Sequence, residues 1–241
     1  MAKFKKAGPG TCIYCFDHFD TLTWDHVFPK AWYTDDDISN YEKWKVPSCQ
    51  KCNNRLSKVE EDLLLRVALC LNPNDPRFKE ISLKARRSIK PEFGKNERDI
   101  LARKNRRLAI EKDILRHVTI PDYGLLPNMP FELDKTDQNK LSIGIDPKLI
   151  SAFAEKLARG IVFKTMGNYI TSDYIIKDYQ CEKHKIQPEI DYAQKCGQRI
   201  KFGNTVILVY AIVPDDNISS MIYVDFWEHI LFSIIVTKKN Q

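Results

Sequence analysis

An α+β fold is what the sequence predicts, on three observations. Two Cys-x-x-Cys pairs, Cys12/Cys15 and Cys49/Cys52, frame strand-like sequence. A lysine- and arginine-rich helical stretch follows. Three β-rich runs come last, after an amphipathic helix.

The elements follow in chain order. "LTWDHVFP" has strand composition, and "KWKVPS" is its candidate antiparallel partner, with Trp24 and Trp44 as cross-strand packing. "CNNRLSKVEEDL" opens a helix that continues through "VEEDLLLRVALCL", where Leu63, Val67 and Cys70 share a face. The prolines of "NPNDP" stop it. "KNERDILARKNRRLAIEKDILRHV" reads as one helix with a narrow apolar stripe through Leu101, Leu108 and Leu115, with Ile114 and Val118 nearby. Residues 119–140 read as a linker. "PKLISAFAEKLARGIVFKTMG" places Leu149, Phe153, Leu157 and Ile161 at helical spacing. "TVILVYAIV", "SSMIYVDFW" and "ILFSIIV" are strands, and "PDDN" turns between the first two. The expected organisation is an N-terminal module over 1–71, a basic helical arm over 72–118, and an α+β module over 119–241 in which an antiparallel sheet packs on one or two helices.

Composition narrows the function. Of 241 residues, 43% are hydrophobic and 11% aromatic, which suits a soluble protein with a core. "MAKFKKAGPGTC" has no apolar core of a secretory signal, and no run of eighteen apolar residues offers a membrane span. A cytoplasmic, reducing compartment is therefore expected. There, seven cysteines with four in close pairs favour metal ligation over disulfides. The net charge of +6 is concentrated: residues 77–116 hold 14 Lys/Arg against 6 Asp/Glu, so this segment carries the whole basic excess. Such a patch suits a polyanion, nucleic acid above all.

The chemistry lies in the first module. Cys12, Cys15, Cys49 and Cys52 offer four thiolates, the donor set of a closed structural zinc site. The 33 residues between Cys15 and Cys49 leave room for a folded hairpin. Asp25-His26 lies on its first strand and Asn53-Asn54 at the helix entry. Strand neighbours point to opposite faces, so a distortion near Pro29 is expected to bring Asp25 and His26 to one site. Asp35-Asp36-Asp37 reads as a solvated loop, His18 as a loop residue, and Cys181-x-x-His184 with Cys196 as a weak second metal pattern.

Taken in order, Cys12-x-x-Cys15, Asp25-His26-x-x-Pro29 and Cys49-x-x-Cys52-Asn53 resemble an HNH endonuclease of the ββα-metal superfamily. The resemblance covers the first 60 to 70 residues. It implies a zinc-stabilised ββα-metal module in which His26 is the general base. Asp25 and Asn53 or Asn54 would hold a catalytic Mg²⁺ or Mn²⁺, and DNA would be the substrate. Asn53 directly follows the knuckle. Trp44 stands where many members carry an asparagine, and no helical histidine follows Cys52 before His117. Lys30, Arg55 and Lys58 are candidate phosphate contacts, joined by Arg103, Arg106 and Arg107 of the basic arm. Two other expectations stand beside this one. The chain could be a non-catalytic zinc-dependent DNA-binding module. It could also be a regulated effector of a defence or mobile-element system, with a protein partner or dimer contact through its C-terminal module.

Overall fold

A computed structural model describes residues 6–33, 44–116, 141–179, 187–228 and 230–239. The predicted linker, Asp35-Asp36-Asp37, Cys181, His184 and the helix end at Val118 lie outside these residues. Among the described residues the fold is α+β, with five α-helices and strands paired antiparallel throughout. None of these helices is long and apolar enough to cross a membrane. The chain divides into two compact units. The first takes in the described residues of 1–59 and 150–241, and the second those of 60–116 and 141–149.

In the first unit a three-stranded sheet has the order β1-β2-β3, with β1 Lys6–Thr11, β2 His18–His26 and β3 Lys45–Ser48. The hairpin partners are those the sequence predicts, and His18 belongs to β2 rather than to a loop. The first strand, "KAGPGT", has turn composition, which hides it from a periodicity reading. It pairs with β2 through two register shifts around Gly8, whose φ of +81° few side chains tolerate. Helix α1, Gln50–Cys70, starts directly after β3.

A five-stranded sheet completes this unit in the order β6-β10-β9-β8-β7. Its strands are β6 Tyr174–Tyr179, β7 Gln198–Phe202, β8 Val206–Ile212, β9 Ser220–Phe226 and β10 Ile230–Lys238. Two helices cover it: α4, Pro147–Met166, and α5, Gln187–Cys196. On one face, Ile190 and Ala193 of α5 pack with Val209, Tyr223 and Leu231. The alternate residues face α4, where Phe153 meets Phe232 at 5.1 Å and Phe226 at 6.1 Å between ring centroids. The hairpin's aromatics enter the same core. Trp32 stacks on Phe153 at 4.9 Å and on Trp227 at 5.5 Å, and Phe28 meets Phe202 at 5.0 Å. Trp227 Nε1 donates to the Trp32 carbonyl at 3.1 Å. Trp44 joins this cluster, 5.0 Å from Phe202, instead of packing across the hairpin on Trp24, which is exposed.

Helix α4 comes close to the end of the hairpin because Gly160 has no side chain. A Cβ there would stand 2.9 Å from both methyls of the buried Val27. From the same face of α4, one turn earlier, Lys156 reaches Asp25 and His26.

The second unit contains the rest of α1, α2 Lys79–Ser88, α3 Glu97–Lys112, and a short ladder of β4 Ile114–Arg116 with β5 Leu141–Ile143. Its buried residues include Leu63, Val67, Leu71, Phe78, Ile81, Ala85 and Ile110. The buried Arg66 ties α1 to the ladder, bonding the Gly144 carbonyl at 2.6 Å and Asp113 at 2.8 Å. Asn96 caps α3 by accepting from the Asp99 amide at 3.0 Å. Two expectations change here. The helix foreseen to run past Leu115 ends at Lys112, because residues 114–116 pair with β5 and the Asp113 carbonyl accepts from the Gly144 amide just after that strand. Leu101 and Leu108 are exposed, so their stripe is no core contact.

A Gly160→Ala change tests the close approach. Overpacking costs about 1–3 kcal/mol, and the helix propensity of alanine returns about 1 kcal/mol. The expected outcome is a net loss of about 1 kcal/mol in denaturant unfolding. Val27→Ala in the same chain should relieve the clash, so the two changes should be non-additive.

Candidate functional site

The four cysteines are brought together by backbone geometry. Cys12 follows β1, and Cys15 closes the tight turn after it. That turn is fixed by the Phe16 amide bonding Cys12 O and the Cys12 amide bonding Asp17 O, both at 3.0 Å. Phe16 adopts a φ of +64°, which doubles the chain back. The Ile13 amide donates to Pro47 O at 3.2 Å, fastening this knuckle beside Cys49. Cys52 lies in the first turn of α1. All four Sγ atoms fall within 4.8 Å of one another. Cys15 and Cys49 Sγ are 3.9 Å apart, far beyond a disulfide bond, and all four thiols are free.

The donor set fits one tetrahedral metal ion. Sulfurs bound at ~2.3 Å around zinc lie about 3.8 Å from one another. Amides already point at the sulfurs: Tyr14 N–H to Cys12 at 3.5 Å and Cys52 N–H to Cys49 at 3.3 Å. Burial, together with neighbouring Cys12, pushes the Cys15 thiol up to about 11. Burial and the Cys49 thiol also push Cys52 up. Burial acts the same way on Cys12, but backbone hydrogen bonds outweigh it and leave that thiol lowered. Four crowded thiols resist ionising together, and a dication supplies the charge that lets them.

The second cluster is built on β2 and the start of α1. Thr23 and Asp25 lie on one face of β2 and are buried. Thr23 Oγ1 donates to Ser48 O at 2.9 Å and accepts from Asn53 Nδ2 at 3.0 Å. This turns the Asn53 amide so that its nitrogen meets the strand and its oxygen remains for another partner. Asn54 is exposed, and its Oδ1 takes the Gln50 amide at 2.6 Å. Of the two asparagines, Asn53 is therefore the one beside the Asp25 face of the strand. Asp25 Oδ2 accepts from Tyr14 Oη at 2.7 Å and lies 3.4 Å from Lys156 Nζ. His26 is half-buried, and its carbonyl accepts from Lys156 Nζ at 2.5 Å. The distortion expected near Pro29 is present, directly before that residue, and leaves Asp25 and His26 in the strand. Both stay in register with β3, opposite Val46 and Lys45, and the bend comes at Val27 and Phe28.

The candidate phosphate contacts divide. Lys30, Arg55 and Lys58 are exposed in the first unit. In the second, Arg103 bonds Asp99 at 3.1 Å and the Arg87 carbonyl at 2.5 Å. Arg106 reaches the Ser88 carbonyl at 3.3 Å, and Arg107 pairs with Glu111 at 2.7 Å. Arg103 and Arg106 thus brace α3 against the end of α2. The exposed cations of that arm include Lys90, Lys95, Arg98 and Lys104, which the sequence reading did not single out.

Lys156 and Tyr14 are the residues that sequence reasoning missed. Tyr14 sits inside the first knuckle and carries no motif. Lys156 did leave a signal: it is a charge between Phe153 and Gly160 on the apolar side of α4, and its side chain is fully buried.

No protein-family model matches the chain, nor does any curated protein or solved structure.

Metal analysis of the purified protein is expected to find one tightly held ion per chain, zinc by the softness of its four donors. Cys49→Ser should lose it and lower the unfolding midpoint. A metal-free protein with unchanged stability would contradict the assignment.

Proposed function

We propose that the chain is a metal-dependent endonuclease of the HNH type that hydrolyses phosphodiester bonds in DNA. One observation carries this reading. The Asn53 amide is oriented through Thr23, on the same strand face as Asp25, at the first turn after a four-cysteine cluster. That arrangement leaves two hard oxygens, Asp25 Oδ1 and Asn53 Oδ1, as donors, the kind Mg²⁺ and Mn²⁺ take. Among the described residues the contacts of Asp25 fall on Oδ2. A divalent cation there would supply Lewis-acid stabilisation of the phosphate and of the leaving 3′ oxygen.

The chain's own residues do the rest. His26, the last residue of the strand before the bend at Val27 and Phe28, takes the proton from the attacking water, a role suited to neutral imidazole near pH 7. Its carbonyl is anchored by Lys156, which limits where the imidazole can stand. Lys30, Arg55 and Lys58 are exposed cations that meet the nucleic-acid backbone and set its register without reading its sequence. The products carry 5′-phosphate and 3′-hydroxyl ends. The choice of DNA over RNA, and a tie to defence or mobile-element systems, follow from the family resemblance.

A second reading is favoured by one feature. Asp25 is only 6% exposed and already faces a buried ammonium. Such a pair would also serve a zinc-dependent DNA-binding module that does not cut.

Plasmid cleavage with Mg²⁺ or Mn²⁺ separates the two. Loss of a general base costs ~10²–10⁴-fold, so His26→Ala should cut at least about a hundredfold more slowly while still binding DNA. Equal cutting by both proteins refutes the role of His26. DNA binding without cutting in any metal favours the second reading.

A further inference from the structure

We infer that Lys156 of α4 is a positioning residue for the Asp25–His26 strand end, acting on both the cation site and the base. The inference rests on the nuclease reading for its catalytic consequence. Its side chain has no exposed surface, and its ammonium lies 3.4 Å from Asp25 Oδ2 and 2.5 Å from the His26 carbonyl. Burying an ammonium is costly unless partners surround it, so a lysine kept here must be matched by acceptors. Two of those acceptors are atoms of the residues of the proposed site. Tyr14 Oη, 2.7 Å from the same Oδ2, completes the grip on one carboxylate oxygen. The other oxygen makes neither of these contacts.

The neighbouring contacts of α4 fix the lysine's height along the strand. Arg159 lies over the Phe16 ring of the first knuckle at 4.9 Å, and Gly160 lets the helix backbone close on Val27. Lys156, Arg159 and Gly160 are three and four residues apart, so one helix face touches the knuckle, the strand end and the bend after it.

A fixed positive charge beside a cation's ligand has a consequence opposite in sign to a packing role. It orients the site but repels the dication, so removing it should tighten cation binding while slowing turnover. A merely structural lysine would loosen binding, or leave it alone, when removed.

The test uses the full-length, zinc-loaded chain. Mn²⁺ binding is measured by titration calorimetry, and plasmid cleavage is measured across Mn²⁺ concentrations. For Lys156→Met the expected results are Mn²⁺ affinity raised by about tenfold and cleavage at saturating Mn²⁺ lowered at least about tenfold. Lys156→Gln removes the charge but keeps a donor for the His26 carbonyl. It should gain affinity similarly and lose less cleavage, and it serves if the methionine variant does not fold. Tyr14→Phe removes a hydrogen bond and no charge, and should gain no affinity. A wild type that binds and cuts, with folded Lys156 variants whose Mn²⁺ affinity is unchanged or weaker, overturns this inference alone. A wild type that neither binds Mn²⁺ nor cuts overturns the nuclease reading and this inference with it.

Discussion

The convergence of four thiols is the constraint on which the N-terminal part of this fold depends. Residues 12–15 and 49–52 are held with their sulfurs within 4.8 Å of one another. Everything between them must leave and return to that point. The return stroke is β3, and its exit is the first turn of α1, so the place of Asn53 follows from that of Cys52. A metal ion there would bind the folded chain and not the unfolded one, so its binding energy would offset the loop-closure entropy that a short three-stranded sheet cannot offset through its own small core. The reach of Asn53 to Thr23 is thus a local detail of a larger closure.

That sheet is not a self-sufficient body. Phe28 and Trp32 are almost fully buried, and their ring partners, Phe153, Phe202, Phe226 and Trp227, come from α4, β7, β9 and the turn after it. The strand that carries Asp25 and His26 therefore inherits its rigidity from residues far along the chain. A buried ammonium at this junction adds direction to the packing, because a charge accepts few arrangements of its partners whereas aromatic rings accept many.

What could be read from the sequence was what repeats or pairs locally. The cysteine pairs, the hairpin, the long helix after Cys52 and the three last strands were legible because spacing alone specifies them. β1 was not, since glycine and proline made a bulged edge strand look like a turn. The end of α3 was not, since its sequence continues helical periodicity and only pairing with β5 stops it. Trp44 looked like a hairpin packing residue or a lost ligand, and its place against Phe28 and Phe202 depends on tertiary neighbours. What distinguishes Asn53 from Asn54 is a bond to one hydroxyl, that of Thr23, which no spacing rule singles out. Lys156 was visible as an anomaly on an apolar helix face, but its partners, 130 residues earlier, were not.

The contact between Trp32 and Trp227 also has a meaning in time. Its hydrogen bond joins groups 195 residues apart. Contacts of such separation form late, because the loop they close must be ordered first. During synthesis the strand bearing Asp25 and His26 emerges long before the rings that cover Phe28 and Trp32. The nascent chain therefore carries an uncovered aromatic surface until residues 226–232 have been made, and the end of the strand that bears Asp25 and His26 becomes rigid only then.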